Sequence, residues 1–271
     1  MHARLVSRKR LLLSRRFREL DRAFGNLVVA LALADNVERA DAAVPLVSVV
    51  IPAYNEADAI MGVLRTLPTE LAGHRVEPIV VVDGATDGTD RVVDAAGFVT
   101  IKLGVNRGQG DALRAGFAYA LRRGASIVMT MDADGQHRSE EMIDLVKPIV
   151  AGEADYVQGS RFLGSTDDSG GARGIGIRLF TRAINAVTGL SITDCTNGFR
   201  AIRADALARL QLEEPRFSGA EILIEAARRD LRVIEVPVHI RARSHGASKK
   251  PPRLGYPVGF LGALVRSARR S

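Results

Sequence analysis

Short apolar runs, each followed by a polar cluster and then by a segment with helical spacing, recur through the first half of the chain. Three of them occupy residues 47–52, 79–82 and 126–131. Apolar runs of roughly four to eight residues are typical of strands that are buried on both faces of a parallel sheet. Their alternation with helices predicts an α/β chain with a mostly parallel, Rossmann-like sheet flanked by helices.

Two aspartates follow the run at residues 126–131. Asp132 and Asp134 stand two residues apart, and Gly135 after them permits a sharp turn. Ligands of open α/β sheets bind at the carboxyl ends of the strands. Two adjacent carboxylates without a basic neighbour favour a divalent cation, and Mg²⁺ and Mn²⁺ prefer oxygen ligands. The pattern therefore indicates a metal site that carries a phosphate, or alternatively a turn that caps the next helix.

Polar residues also follow the other two apolar runs. Asn55 and Glu56 come after the first run, and Asp83 directly follows the second. Parallel strands would bring these clusters and the aspartate pair to one edge of the sheet. There Asp83 could accept hydrogen bonds from a nucleoside base or ribose. The chain contains neither a P-loop motif nor a Gly-x-Gly-x-x-Gly motif after the first run, which excludes a P-loop and argues against a dinucleotide-binding fold.

The formal charge of +7 is distributed unevenly along the 271 residues. Residues 1–22 carry a net +6 and residues 241–271 a net +8, which leaves the middle of the chain at −7. A nucleic-acid-binding protein more often carries its basic stripe on the folded body, so we expect no nucleic-acid partner. Basic ends mixed with apolar residues suit a membrane surface, or they could pack on the body with a solvated basic face.

The membrane and the cellular compartment can be considered from the same composition. No run reaches the roughly 18 to 20 apolar residues that span a bilayer. The one cysteine, Cys195, rules out an internal disulfide and favours a reducing compartment. We expect a cytoplasmic protein that could bind peripherally to the inner face of the membrane.

Three segments are predicted from these patterns. Residues 1–44 form a basic helical extension, residues 45–240 an α/β domain, and residues 241–271 a basic, partly apolar tail. Within the domain, the five glycines at residues 163–176 indicate a mobile loop over the site, followed by a helix from about residue 177 to residue 187. Pro237 places the last strand at an edge of the sheet.

Eight motifs occur in a fixed order between about residue 47 and residue 250. They lie at residues 49–56, 81–89, 106–116, 132–137, 159–162, 194–200, 235–237 and 243–249. With these motifs the sequence resembles glycosyltransferase family 2, of the GT-A fold, and within it the dolichyl- or polyprenyl-phosphate sugar transferases. One motif departs from the family: the usual V-V-D-D-G-S-T-D-G-T is V-V-D-G-A-T-D-G-T here, which puts base selection by Asp83 in doubt.

The resemblance implies a role for most of the polar residues above, with residues 45–240 as the GT-A catalytic domain. The residues implied to bind the nucleotide are Pro52, Ala53, Tyr54, Asn55, Glu56 and Asp83. Asp132, Asp134 and Gln136 are implied to hold Mg²⁺ or Mn²⁺ and, through the metal, the diphosphate. The residues implied to face the acceptor phosphate or the diphosphate are Arg161, Arg178, Arg243, Ser248 and Lys249. We expect the catalytic set to be Asp134, Arg161, Asp194 and Arg243.

The implied activity is a metal-dependent, inverting transfer of a hexose from a GDP- or UDP-linked sugar to a polyprenyl or dolichyl phosphate. The alternative is transfer to a hydroxyl of a soluble or secondary-metabolite acceptor. A lipid phosphate is already ionised near neutral pH and needs no general base, whereas a hydroxyl acceptor requires one. The candidate bases are Asp194, which could equally cap a turn, and Glu221, which by default is a solvated acid on a helix.

Overall fold

The structure is a computed structural model that describes residues 44–167, 171–215 and 218–242. The basic extension predicted for residues 1–44 and the tail predicted for residues 241–271 lie almost wholly outside these ranges. Both therefore stay predictions, as does the division of the chain into three segments.

The described residues form eight strands and seven helices. The strands are β1 (Leu46–Ala53), β2 (Glu70–Leu71), β3 (His74–Asp83), β4 (Val99–Leu103), β5 (Ile127–Thr130), β6 (Tyr156–Thr166), β7 (Arg200–Arg203) and β8 (Val233–Ile240). The helices are α1 (Ala57–Leu64), α2 (Thr89–Ala95), α3 (Gln109–Arg122), α4 (Met142–Val150), α5 (Gly171–Thr188), α6 (Ala204–Leu207) and α7 (Ser218–Arg228). None of these helices is long and apolar enough to cross a membrane.

The strands make one mixed sheet in the order β2-β3-β1-β5-β7-β6-β8, with β4 also paired to β3. β1 pairs in parallel with both β3 and β5, and β6 pairs in parallel with β8. β7 is antiparallel to both of its neighbours, β5 and β6. The prediction of a mostly parallel sheet with helices is confirmed, and β8 lies at the edge that Pro237 predicted.

Two hydrophobic clusters cover the two faces of the sheet. Successive residues of β1 point into different clusters: Val50 packs with α3, while Val49 and Ile51 pack with α1 and α4. Helix α3 approaches β1 closely because Gly116 has no side chain; a Cβ there would lie 2.2 Å from Cγ1 of Val50. Burial on both faces is why these strands are almost entirely apolar.

The predicted mobile loop at residues 163–176 is wrong over most of its length. β6 continues to Thr166 because Ser165 and Thr166 pair with the end of β8. Gly164 allows this pairing, since a Cβ there would lie 2.2 Å from the carbonyl oxygen of Val238. Helix α5 already begins at Gly171. Its buried residues Ile177, Thr181 and Ile184 follow helical spacing, and this packing outweighs the roughly 1 kcal/mol that each glycine costs in a helix.

The carboxyl ends of three parallel strands meet at one end of the sheet. β1, β3 and β5 run in parallel, so they end together, at Ala53, Asp83 and Thr130. We call this edge the carboxyl edge. The residues that follow these three strands are those for which the sequence predicted a nucleotide and metal site.

Candidate active site

Asp132 and Asp134 lie just past β5 at the carboxyl edge. The side chain of Asp132 is 33% exposed, and its Oδ1 accepts a hydrogen bond from Nε2 of Gln109 at 3.2 Å. Asp134 is 5% exposed, and its Oδ1 accepts the backbone N–H of Gln136 at 3.1 Å. One carboxylate thus faces the open edge while the other is held within the turn.

This arrangement fits a divalent cation bound jointly by the protein and a substrate. Within the described ranges there is no group of three or more His, Cys, Asp or Glu side chains that could hold a metal by themselves. Two carboxylates supply hard oxygen ligands of the kind that Mg²⁺ and Mn²⁺ take. The remaining ligands would then come from a diphosphate and water.

The predicted metal ligand Gln136 also ties the turn to the end of β8. Its Nε2 donates to the carbonyl oxygen of Arg241 at 2.9 Å, and the backbone N–H of Arg241 donates to the carbonyl of Gln136 at 2.9 Å. A glutamine amide binds a metal through its oxygen, and the bond from Nε2 leaves Oε1 of Gln136 for that purpose, so the ligand role stays a prediction.

His137 is a buried residue that contacts Asp132. Its ring is 6% exposed and stacks on Phe199 with 4.9 Å between the ring centroids. Nε2 lies 3.4 Å from Oδ2 of Asp132, and Nδ1 has no hydrogen-bond partner among the described residues. The polar contact that the ring makes here is thus directed at Asp132.

The turn after β1 is fixed against the turn after β3. Asn55 has a left-handed backbone, with φ of 54°, and its Oδ1 accepts the backbone N–H of Thr86 at 2.8 Å. The N–H of Glu56 donates to Oγ1 of Thr89, while Asp87 accepts the N–H of Ala57 at 3.0 Å. Tyr54, in the same turn, is exposed. The predicted nucleotide segment is thus a rigid turn with one exposed aromatic ring.

Asp83 has a structural task that the sequence did not reveal. Its two carboxylate oxygens accept the backbone N–H groups of Arg107 and Gly108, at 2.7 and 2.8 Å. Burial raises the pKa of Asp83 above its ordinary value, although these two hydrogen bonds oppose the shift. Gly84 completes the arrangement, because a Cβ there would lie 2.2 Å from the backbone nitrogen of Asn106. Asp83 therefore holds the loop that precedes α3.

Arg161 and Asp194, both predicted to be catalytic, form a buried ion pair. Nε of Arg161 donates to Oδ2 of Asp194 at 2.6 Å, and the side chain of Asp194 is 0% exposed. The other oxygen of Asp194 accepts the N–H and the hydroxyl of Thr196. Glu235 of β8 in turn accepts the N–H of Asp194 at 2.9 Å. These contacts favour the interpretation that Asp194 holds a turn and orients Arg161.

Of the other residues predicted to bind phosphate, the structure describes Arg178. The guanidinium carbon of Arg178 lies 4.4 Å from the ring centroid of Phe162, the residue after Arg161. The structure therefore brings the two arginines to the same region. Arg243, Ser248 and Lys249 lie outside the described residues.

Glu221 is not the solvated acid that its helix suggested. It is 1% exposed, and its carboxylate accepts the backbone N–H groups of Glu213 and Glu214 at 2.8 and 2.9 Å. The helical pattern could not show this, because the loop at residues 211–215 folds over α7 and covers the acid. In this position Glu221 organises the loop at residues 211–215, which packs against the first turn of α3.

Two residues that contact the predicted site residues were given no role by the sequence analysis, although Glu235 lies in one of its motifs. Gln109 contacts Asp132 from the first turn of α3, and nothing in its local pattern marks it. Glu235 binds the N–H and hydroxyl of Thr193 in addition to Asp194. A lone acid in the apolar strand β8 was the signal that could have identified Glu235 as a buried, partnered residue.

The mixed α/β sheet, with Asp83 at the end of β3 and Asp132 and Asp134 just past β5, has the architecture of GT-A glycosyltransferases. The chain belongs to glycosyl transferase family 2, whose model matches residues 48–211. The predicted family and its enzyme class are thereby confirmed.

Curated relatives and solved structures agree with this membership. The polyprenol monophosphomannose synthase of Mycolicibacterium smegmatis is 30% identical over 213 residues, which cover 74% of this chain and 79% of that protein. A UDP-N-acetylglucosamine–dolichyl-phosphate N-acetylglucosaminyltransferase of Methanococcus voltae is 29% identical over 219 residues, with 71% and 84% coverage.

The fold is also similar to that of glucosyl-3-phosphoglycerate synthase from Mycobacterium tuberculosis, crystallised with Mn²⁺, UDP and phosphoglyceric acid. The TM-score is 0.65 at 20% identity, and the match covers 89% of this chain and 82% of that chain. This likeness confirms the GT-A architecture.

Proposed function

We propose that this enzyme transfers a hexose, with inversion, from a nucleotide diphosphate sugar to a polyprenyl or dolichyl phosphate. A divalent cation, Mg²⁺ or Mn²⁺, takes part. The observation that carries the proposal is the state of the two candidate bases: Asp194 and Glu221 are both buried and engaged in hydrogen bonds. An acceptor that needs no deprotonation suits such a site.

The donor half of the site is built around the aspartate pair. Asp132 and Asp134 would hold the metal, which when bound neutralises the charge that develops on the leaving diphosphate. Gln109 and His137 keep Asp132 in place from two sides. The nucleoside would lie against the rigid turn at residues 53–56, where Tyr54 offers a ring for stacking.

The acceptor half is built around Arg161 and Arg178. An ionised phosphate needs cations to position it, and a guanidinium group can meet it with two parallel hydrogen bonds. Asp194 engages Nε of Arg161 and so fixes the plane of the guanidinium without covering all of its N–H groups. Arg178, stacked on Phe162, is a second cation for the same phosphate.

The names of the relatives support a lipid-phosphate acceptor and leave the donor to experiment. One relative is named for a polyprenol monophosphomannose and the other for UDP-N-acetylglucosamine and dolichyl phosphate. Because both lie at about the same identity to this chain, neither fixes the sugar. We propose a peripheral membrane contact for this enzyme, since such an acceptor lies in a bilayer.

The test is donor turnover with Mn²⁺ and GDP-mannose, UDP-glucose or UDP-N-acetylglucosamine, with and without a short polyprenyl phosphate. Product formation on the lipid phosphate with one of these donors would support the proposal and identify the sugar. Metal-dependent donor hydrolysis without lipid product would indicate a hydroxyl acceptor instead. A folded protein that binds and turns over none of the donors would refute the proposed activity.

The variant that tests the metal site is Asp134→Asn, and its matched control is Asp144→Asn. The first variant removes a proposed ligand charge at constant shape, and we expect at least about a hundredfold loss of turnover. Asp144 lies in the first turn of α4. Its variant should keep near-normal turnover and a similar melting temperature.

A further inference from the structure

Helix α5 exposes large apolar side chains on its outer face. Ile175 is 72% exposed and Leu179, one turn further on, is 63% exposed. Residues four apart lie on the same face of a helix, so the two side chains form one patch. Contiguous exposed apolar surface of this kind marks an interaction site more often than isolated exposed residues do.

The charge of α5 is of one sign. Its sequence contains Arg173, Arg178 and Arg182 and no aspartate or glutamate. Arg178 and Arg182 are exposed and flank the apolar pair at helical spacing. We call Ile175, Arg178, Leu179 and Arg182 the α5 surface.

The α5 surface adjoins the acceptor half of the site. Arg178 stacks on Phe162, which directly follows Arg161. Leu163, the next residue along, is 50% exposed. The apolar and basic groups therefore lie beside the arginine that is proposed to bind the acceptor phosphate.

We propose that the α5 surface binds an anionic phospholipid membrane. The inference rests on the proposed function, and it assigns the membrane contact to a helix of the catalytic domain instead of the two basic ends of the chain. An apolar face with basic neighbours is the combination that inserts into the boundary between headgroups and acyl chains. Arginines near that boundary are attracted to anionic headgroups.

The charge pattern favours a membrane over a second copy of the chain or a nucleic acid. A second copy of the chain would bring two arginine-bearing faces together without any acid on α5 to pair with them. A nucleic acid would leave Ile175 and Leu179 in water, because apolar aliphatic side chains gain little from phosphates. A bilayer surface satisfies both the apolar pair and the arginines. A lipid phosphate in that bilayer would also lie near Arg161, because Arg178 stacks on the residue next to it.

The experiment is flotation of the full chain with vesicles of phosphatidylcholine, alone or with phosphatidylglycerol. We expect the wild type to bind the anionic vesicles. The double variant Ile175→Ser with Leu179→Ser should bind about tenfold or more weakly. Arg182→Gln should weaken binding about fivefold to anionic vesicles and leave neutral vesicles unaffected. Val150→Ser is the matched control, because Val150 is 47% exposed at the end of α4, opposite the carboxyl edge.

Unchanged vesicle binding by the double variant would overturn the proposal and assign the contact to another part of the chain. A wild type that is a dimer in solution and becomes a monomer in the double variant would identify a second copy as the occupant and overturn it equally. Circular dichroism and thermal melting should show that each variant keeps the wild-type fold.

A short, water-soluble prenyl phosphate separates this inference from the proposed function. The double variant should keep its rate on the soluble acceptor and lose transfer to a long-chain acceptor embedded in vesicles. Vesicle binding without any transfer by the wild type would contradict the proposed function and leave the surface assignment standing. Equal transfer by wild type and variant to the embedded acceptor would contradict the surface assignment alone.

Discussion

The acidic residues of the site make different contacts, although all of them carry the same carboxylate group. Asp132 is partly exposed at the carboxyl edge, where a metal and diphosphate could reach it. Asp83 and Glu221 are buried and accept backbone N–H groups, and Asp194 pairs with Arg161. Exposure thus distinguishes Asp132 from the acids that hold loops in position, whereas Asp134, the second proposed metal ligand, is 5% exposed and lies within the turn.

Gly198→Ala should disturb the metal site while sparing the fold. A Cβ at residue 198 would lie 2.6 Å from Oδ1 of Asp132, and a carboxylate at the end of a side chain can move away. We expect Mn²⁺ to be needed at about tenfold or higher concentration for half-maximal turnover, with a change in unfolding free energy below about 1 kcal/mol.

A Mn²⁺ titration of activity measures this effect. Gly62→Ala is the control, because a Cβ at residue 62 of α1 would meet nothing within 4 Å. An identical metal requirement in both variants would show that the position of Asp132 does not matter to the metal.

Asp194→Ala should destabilise the protein by about 3 kcal/mol or more, because it removes a fully buried carboxylate that holds Arg161, 12% exposed, and the N–H and hydroxyl of Thr196. Urea denaturation measures the loss. Asp205→Ala removes an aspartate that is 67% exposed and paired with Arg203, and it should cost less than about 1 kcal/mol. Similar costs for the two variants would mean that the Arg161 pair is effectively solvated.

The sequence predicted which acids lie at the carboxyl edge better than it predicted the contacts that they make there. Asp132 and Asp134 could be placed because they follow an apolar strand directly. The engagement of Asp83 with Arg107 and Gly108 depends on how the loop at residues 105–108 packs on Gly84, and no local pattern encodes that contact.

Among the elements, α3 and β1 depend on each other through one glycine. Gly116→Ala would place a methyl group 2.2 Å from Cγ1 of Val50, which is fully buried. We expect a loss of about 1 to 3 kcal/mol in unfolding free energy from overpacking, which exceeds the helix propensity that alanine gains.

The double variant with Val50→Ala tests the cause of that loss. If the methyl group and Val50 compete for space, the double variant should lose less unfolding free energy than the two single variants together. The difference should be at least about 0.5 kcal/mol in urea denaturation. Strictly additive losses would show that the helix moves away from the strand instead.

The elements were predictable to the extent that local pattern determines them. The runs at residues 47–52 and 79–82 became β1 and the end of β3 because strands buried on both faces must be apolar throughout. The glycines at residues 163–176 led to the wrong prediction of a mobile loop. Gly164 is required by the close approach of β6 to β8, and Gly171, Gly174 and Gly176 are tolerated within α5. The antiparallel direction of β7 could not be predicted, because a strand of four residues has no sequence pattern that distinguishes antiparallel from parallel pairing.

At the scale of the whole molecule, an ion cluster around Asp155 joins three strands at the end of the sheet away from the proposed site. Opposite the carboxyl edge, Asp155 precedes β6 and joins the end of β7 to the residue before β8. Arg232 donates to it from the backbone and from Nε and Nη2, at 2.9 to 3.1 Å, and Nη1 of Arg203 lies 2.9 Å away. Hydrogen bonds from Arg232 lower the pKa of Asp155 to about 2.

The stability of the molecule should therefore fall in acid through Asp155. Its folded-state pKa is below the unfolded value, so its contribution is complete above about pH 5 and is lost as the pH falls toward 2. We expect Asp155→Asn to cost about 1 to 2 kcal/mol at pH 7, allowing for the half-exposed side chain of Arg232.

Urea denaturation of wild type and variant between pH 7 and pH 3 measures this dependence. The difference in unfolding free energy should shrink steadily as the pH falls. A difference that stays constant would mean that the asparagine acts through packing and that the charge of Asp155 is irrelevant.

The position of β7 has a consequence for how the chain is made. β7 lies between β5 and β6, yet its residues, Arg200–Arg203, are synthesised after both. While the ribosome is still short of residue 203, the facing backbone groups of β5 and β6 lack this partner. Open strand edges favour pairing with other chains. We therefore expect the centre of the sheet to stay open, and the nascent chain to be prone to pairing with other chains, until β7 has emerged.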